Sequence, residues 1–190
     1  CEQGRNFNNK IWNAFRLVKG WETADIEQPK SAEIAVKWFD AKLKEVNEEM
    51  QKQFKDYRIS EALMTVYKLF WDEFSSWYLE MVKPAYGQPI DQKSYDATLR
   101  FFDALLKMLH PFMPFITEEL WQHIYDRKDG ESIMREKLEI PAPTAEELKL
   151  AADIEAVKQI IAGVRTVRNQ KNIAQKEQLS LQVVGKNDFE

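Results

Sequence analysis

Apolar side chains over residues 1–126 recur at spacings of three and four, and prolines or capping residues cut that pattern into helix-length pieces. Across 2–20 the apolar positions are Phe7, Ile11, Ala14, Phe15 and Val18, one face of a helix that Gly20 ends. Residues 21–30 lose the period and contain Pro29, so they read as a loop. Ser31 is placed to cap a second helix over 32–54, with Ala32, Ala35, Phe39, Leu43, Val46, Met50 and Phe54 inward. A connection over 55–60 leads to a third helix capped by Ser60, with Ile59 and Met64 at hydrophobic-staple positions. Its face carries Leu63, Val66, Phe70, Phe74, Trp77 and Met81, widened by Tyr67, Trp71 and Tyr78. That much aromatic surface predicts a central helix with Trp71, Phe74, Trp77 and Tyr78 in the core, ending before Pro84 and Gly87.

Asp91 or Ser94 starts a fourth helix with Leu99, Phe102, Leu105, Leu106 and Leu109 inward. His110-Pro111 breaks it, because proline lacks the N–H and restricts the residue before it. After Pro114, Thr117 is expected to cap a short fifth helix with Leu120, Trp121 and Ile124 inward. Asp129-Gly130 is a turn, and Ser132-Ile133-Met134 reads as extended. Pro141 and Pro143 mark a linker, and Thr144 with Glu147 forms a capping box for a sixth helix to about Lys171. Its face is Ile154, Val157, Ile161 and Val164, after which Leu179, Leu181 and Val183 alternate as a strand would. The expected fold is mainly α: an antiparallel helix bundle over 1–126, an extended linker over 127–144, and a basic helix plus strand appendage over 145–190.

Composition narrows the function. One cysteine, Cys1, rules out an internal disulfide framework and a multi-Cys zinc site, and fits a reducing, cytoplasmic setting. No apolar run approaches membrane-helix length, and no signal-peptide pattern opens the chain. A first residue of Cys rather than Met reads as a piece cut from a longer protein. Residues 1–20 carry +3 (Arg5, Lys10, Arg16 and Lys19 against Glu2) and 161–176 carry +4 (Arg165, Arg168, Lys171 and Lys176). Against a net −4, the rest of the chain sums to −11, so a polyanion has only those two segments to bind. Charge alone equally describes two solvated helix faces, the commoner case.

Catalytic patterns are missing. The sequence has no phosphate-binding glycine loop, no dinucleotide fingerprint and no nucleophile elbow. His110 and His123 are the only histidines, and Glu118 and Glu119 lie five and four residues before His123 with no second copy of that arrangement. A bundle metal centre needs two Glu-x-x-His helices, so no metal site is expected. The Glu118-Glu119 pair simply complements a helix N-terminus. No catalytic residue is assigned.

One feature departs from an ordinary solvated face. The first helix contains Asn6, Asn8, Asn9 and Asn13, although asparagine is a poor helix former. Arg5, Asn9, Asn13 and Arg16 follow spacings of four, four and three, a stripe of amides and guanidiniums. Those groups suit base edges and phosphates, and Trp21 just beyond could stack on an exposed base. At this point a nucleic-acid-binding bundle and a helical protein-interaction module both remain open.

The strings GRNFNNKIWNAFR (residues 4–16), WDEFSSWYLEMVKP (71–84), LHPFMPFITEELWQ (109–122) and SIM (132–134) resemble valyl-tRNA synthetase, in its C-terminal helical anticodon-binding domain. RTVRNQKNI (165–173) resembles that family's basic helix end, so the resemblance covers nearly the whole chain in order. The HPF-x-PF-x-x-EELW pattern is shared with the isoleucine and leucine enzymes, whereas the opening string and SIM point to valine. The alternative is therefore the equivalent domain of an isoleucyl or leucyl enzyme.

The resemblance implies a piece of a ligase that activates valine with ATP and transfers it to tRNA-Val. The HIGH-type and KMSKS-type nucleotide signatures, an editing domain and the C-terminal coiled-coil arm are absent from this sequence. This piece is thus expected to be non-catalytic, to need no cofactor of its own, and to be monomeric and cytoplasmic. Its partners would be tRNA-Val and the catalytic domain of the same polypeptide, with no membrane. The motif match and helical spacing together put Arg5, Asn9, Asn13 and Arg16 on the anticodon loop. Lys10 would lie near a phosphate or brace the helix, and Trp21 would stack. Arg165, Arg168 and Lys171, near the bundle's far end, would touch the inner part of the tRNA.

Overall fold

The structure is a computed structural model describing residues 2–174 and 176–182. It divides into two compact units, residues 1–151 and 152–190.

The first unit is a helix bundle. Helix α1 (Glu2–Lys19) buries Phe7, Ile11, Ala14 and Val18, the stripe its spacing dictates. Helix α2 (Lys30–Lys55) follows, then α3 (Ile59–Lys68), a π-helical stretch (Leu69–Tyr78) and α4 (Leu79–Val82). Helix α5 (Gln92–Leu109) and α6 (Pro114–Ile124) complete it, as expected for a mainly α bundle. At its centre the rings of Phe39, Phe74, Tyr78 and Phe101 meet at centroid distances of 5.0–5.4 Å, all fully buried. Tyr78 satisfies its hydroxyl with Thr98 Oγ1 at 2.8 Å, and Thr98 donates onward to the Ser94 carbonyl at 2.7 Å. Burial raises the Tyr78 phenol far above its ordinary range, so it stays a neutral donor. Of the four aromatics expected inside, Phe74 and Tyr78 are buried, whereas Trp71 and Trp77 are half-buried.

The third helix is not a plain α-helix. Ala62, Val66, Phe70, Phe74, Tyr78 and Val82 recur every four residues, and all are buried. In an α-helix each four-residue step overshoots a turn by ~40°, so five steps would carry the stripe through ~200° and out of the core. The i→i+5 stretch winds fewer degrees per residue and cancels that drift. Ser76 Oγ marks the wider pitch by donating to the Trp71 carbonyl five residues back, at 2.8 Å.

Several caps differ from expectation. Pro29, not Ser31, precedes α2, and Arg58, not Ser60, precedes α3; neither makes a side-chain cap. Ile59 and Met64 are exposed rather than stapled. Helix α6 starts at Pro114, whose fixed φ suits the first helical position, so Thr117 lies one turn inside. Asp91 does cap α5, accepting from the Ser94 N–H at 2.8 Å. The loop over 21–30 carries a strand β1 (Thr23–Ala24) that pairs in parallel with β2 (Ile90–Asp91), a link too short to leave a period-two signal.

The segment expected as a linker is strapped down. Arg127 stacks 3.5 Å above Trp121 and pairs with Asp103 at 3.2 Å. Ser132 Oγ donates to Glu118 at 2.7 Å and caps a 3-10 turn (Ile133–Arg135) that buries Ile133, where an extended run was expected. The capping box forms as expected: the Thr144 N–H donates to Glu147 at 2.8 Å, and the Glu147 N–H to Thr144 Oγ1 at 3.2 Å.

Helix α7 (Ala145–Gln170) continues into the second unit. There, residues 179–182 are irregular rather than a strand, and Val183 lies outside the described residues. Among the described residues no helix is long and apolar enough to cross a membrane, and no cluster of His, Cys, Asp or Glu could hold a metal ion.

Candidate nucleic-acid interface

Burying Phe7, Ile11, Ala14 and Val18 leaves the opposite side of α1 to solvent, and Arg5, Asn9, Asn13 and Arg16 are all exposed there. At ~100° per residue they fall within an arc of ~80°. Trp12 lies ~20° outside that arc and is 41% exposed. Trp12 is not among the residues expected from the sequence, although its i+4 relation to Arg16 points to it. The stripe thus has an aromatic surface among its amides and guanidiniums.

Lys10 lies on another side of the helix. Its ammonium sits 5.2 Å from the centre of the Trp71 ring, itself packed on Tyr67 and Phe7. A cation over an aromatic face is held by the ring quadrupole. That placement fits the bracing role for Lys10. Lys19 also braces, donating to the Ile124 carbonyl at 3.3 Å and tying the end of α1 to the end of α6.

The stripe runs into a groove of about 770 Å3 at the C-terminal end of α1. One wall is Arg16, Leu17 and half-buried Trp21, whose N–H bonds back to the Val18 carbonyl at 3.2 Å. The other is the turn over 83–88, with Lys83 and a fully exposed Tyr86. The Ile90 N–H donates to the Glu22 carbonyl at 2.8 Å, so the two-residue sheet fixes one wall against the other. Arg16 and Trp21 are expected from the sequence, whereas the facing turn lies some sixty residues away and leaves no local signal.

The second basic segment belongs to the second unit. Arg165 and Lys171 are exposed. Arg168 donates to the Ala174 and Glu177 carbonyls, each at 2.7 Å, so its guanidinium closes the turn after α7 and has fewer donors for a phosphate.

A stripe of amides and guanidiniums that ends at a groove with exposed ring surface offers the kinds of group that suit unpaired bases. The sequence model of the family described as "Anticodon-binding domain of tRNA ligase" matches residues 36–184. The chain belongs to this family. This anticodon-binding domain is 68% identical over 187 residues to a valine–tRNA ligase of Phocaeicola vulgatus, covering 98% of the chain and 21% of that protein. A valine–tRNA ligase of Bacteroides thetaiotaomicron is 59% identical over 190 residues, 98% of the chain and 21% of that protein. One of Bacillus cereus is 33% identical over 192 residues, 96% of the chain and 21% of that protein. The anticodon-binding domain therefore spans about a fifth of the length of the curated relatives it matches.

Proposed function

We propose that this domain reads the anticodon loop of tRNA-Val for a cytoplasmic, ATP-dependent valine–tRNA ligase. The supporting observation is the exposed stripe Arg5–Asn9–Asn13–Arg16 running into the groove at Trp21. Anticodon bases are unpaired in the loop, so their edges are open to amides and guanidiniums and their faces to indole and phenol rings. Arg165 and Lys171 add phosphate attraction. The domain works without metal or cofactor, as a monomer beside the catalytic domain of the same polypeptide. Activation of valine with ATP belongs to the rest of that enzyme, and the 190-residue chain alone has no ligase activity.

Filter binding of the 190-residue chain at stated low salt tests this against tRNA-Val, its anticodon mutants and tRNA-Ile. The expected result is binding to tRNA-Val that weakens when anticodon bases are changed. Preference for tRNA-Ile would reassign the domain to an isoleucine enzyme. Absence of RNA binding, with Arg5→Ala and Arg16→Ala both silent, would leave a protein-interaction module.

A further inference from the structure

The turn over 83–88 presents Tyr86 fully to solvent, at 106% relative exposure. A phenol ring left in water gains nothing for the fold. Yet the turn that carries it is well determined. Gly87 takes φ 73°, a left-handed conformation open to glycine, and the Gln88 N–H closes the turn on the Ala85 carbonyl at 2.9 Å. The pairing of Ile90 with Glu22 and Thr23 then holds this turn across the groove from Trp21 and Arg16. Lys83 stands at its start, in an exposed ion pair with Glu80 at 2.6 Å. Such a pair is worth little in water and exchanges readily for a phosphate. Arg16 and Lys83 are the basic groups lining the groove and Glu22 the acidic one, with Glu80 pairing Lys83 from outside the lining.

Resting on the anticodon reading above, we propose that Tyr86 and Lys83 form a base-holding subsite: one unstacked RNA base lies against the Tyr86 ring, with its flanking phosphate on Lys83. Trp21 and Arg16 close the opposite side. The rings supply stacking, which tolerates any base, and the Arg16 guanidinium supplies the edge contact that selects one. A protein segment in the groove is the rival occupant, and the test below separates the two.

The 190-residue chain is titrated with a valine anticodon stem-loop RNA carrying 2-aminopurine at each loop position in turn. The expected result is a fluorescence change at one loop position that Tyr86→Ala abolishes and Tyr86→Phe preserves. Tyr86→Ala should weaken binding by about 5- to 150-fold, the range for losing one stacked base. Lys83→Ala should weaken it less and flatten the logarithmic salt dependence by about 0.7. Because Tyr86 is fully exposed, helical circular dichroism should be unchanged, so a loss reports the contact and not the fold. If the unaltered chain binds the RNA and Tyr86→Ala binds equally well, the subsite is wrong while anticodon reading stands. If the unaltered chain binds no RNA, anticodon reading and the subsite fall together.

Discussion

Thr117 Oγ1 lies 2.8 Å from His110 Nδ1, across the proline break between α5 and α6. The same hydroxyl donates to the Met113 carbonyl at 2.8 Å. It has one proton, so with that proton on the carbonyl it accepts from the Nδ1–H of His110. The HPFMPF sequence is thus a fastened corner. Thr117 is fully buried, so Thr117→Val leaves His110 without its acceptor and should cost about 1–3 kcal/mol. Thr117→Ser keeps the hydroxyl and should cost about 1 kcal/mol, the burial value of one methyl group. Urea midpoints of the two variants check the ordering; a Ser variant as weak as the Val variant would assign the effect to packing.

Arg16 separates base reading from general attraction. Arg16→Lys keeps the charge but replaces a planar fork with a point charge. If Arg16 reads a base, the change should cost ~1–3 kcal/mol against the cognate anticodon and much less against a mutant one. Equal losses on both RNAs, measured by filter binding, would make Arg16 a positioning contact only.

Arg168 and Lys171 should behave differently although they are three residues apart. Arg168→Ala removes donors from the Ala174 and Glu177 carbonyls and should speed hydrogen exchange in the turn after α7. Lys171→Ala should leave exchange alone and flatten the salt slope of tRNA binding by about 0.7 to 0.9. A slope change in the Arg168 variant with unchanged exchange would reverse the two roles.

Acid should loosen the contact between α2 and the start of α7. Burial opposes ionisation of Asp40, but hydrogen bonds from Lys44 and Arg100 outweigh it and hold the carboxyl below its ordinary 3.8. The Lys44 ammonium, with the Thr144 N–H, likewise holds Glu147 below 4.5. A carboxyl lowered in the fold stabilises it above the unfolded value, and that contribution is lost as pH falls through the folded one. Thermal midpoints should therefore drop below about pH 4. Asp40→Asn should lower the midpoint at neutral pH and make its acid dependence shallower; an unchanged pH profile would remove Asp40 from the acid-sensitive set.

What the sequence made legible was whatever depends on neighbours. The stripe of α1 and the Thr144–Glu147 capping box each involve residues within a turn or two, so spacing determined them. The exposed stripe of Arg5, Asn9, Asn13 and Arg16 was visible for the same reason. What escaped depends on distance or on competition. Ser31, Ser60 and Thr117 are good caps by residue type, yet Pro29, Arg58 and Met113 precede the helices, because tertiary packing and proline geometry set where each begins. The parallel pairing of Thr23 with Ile90 joins residues far apart by two-residue strands, so neither side carries a pattern. The Tyr86 wall of the groove exists only through that pairing. Trp71 looked like core because aromatic, but the slower winding of the π-helical stretch leaves it half-buried beneath Lys10.

That stretch over Leu69–Tyr78 makes the chain sensitive to length in a way that composition does not reveal. Any substitution there keeps the count of residues and so keeps the phase of everything downstream. Deleting a single residue would advance the following segment by one position, a rotation of about 100° if the helix reverts to ordinary winding. Val82 would then leave the core, and the turn bearing Lys83 and Tyr86 would swing off its place across from Trp21. The aromatic helix works as a vernier: its winding sets the phase at which the turn arrives, and the pairing of Thr23 with Ile90 then locks the two walls together.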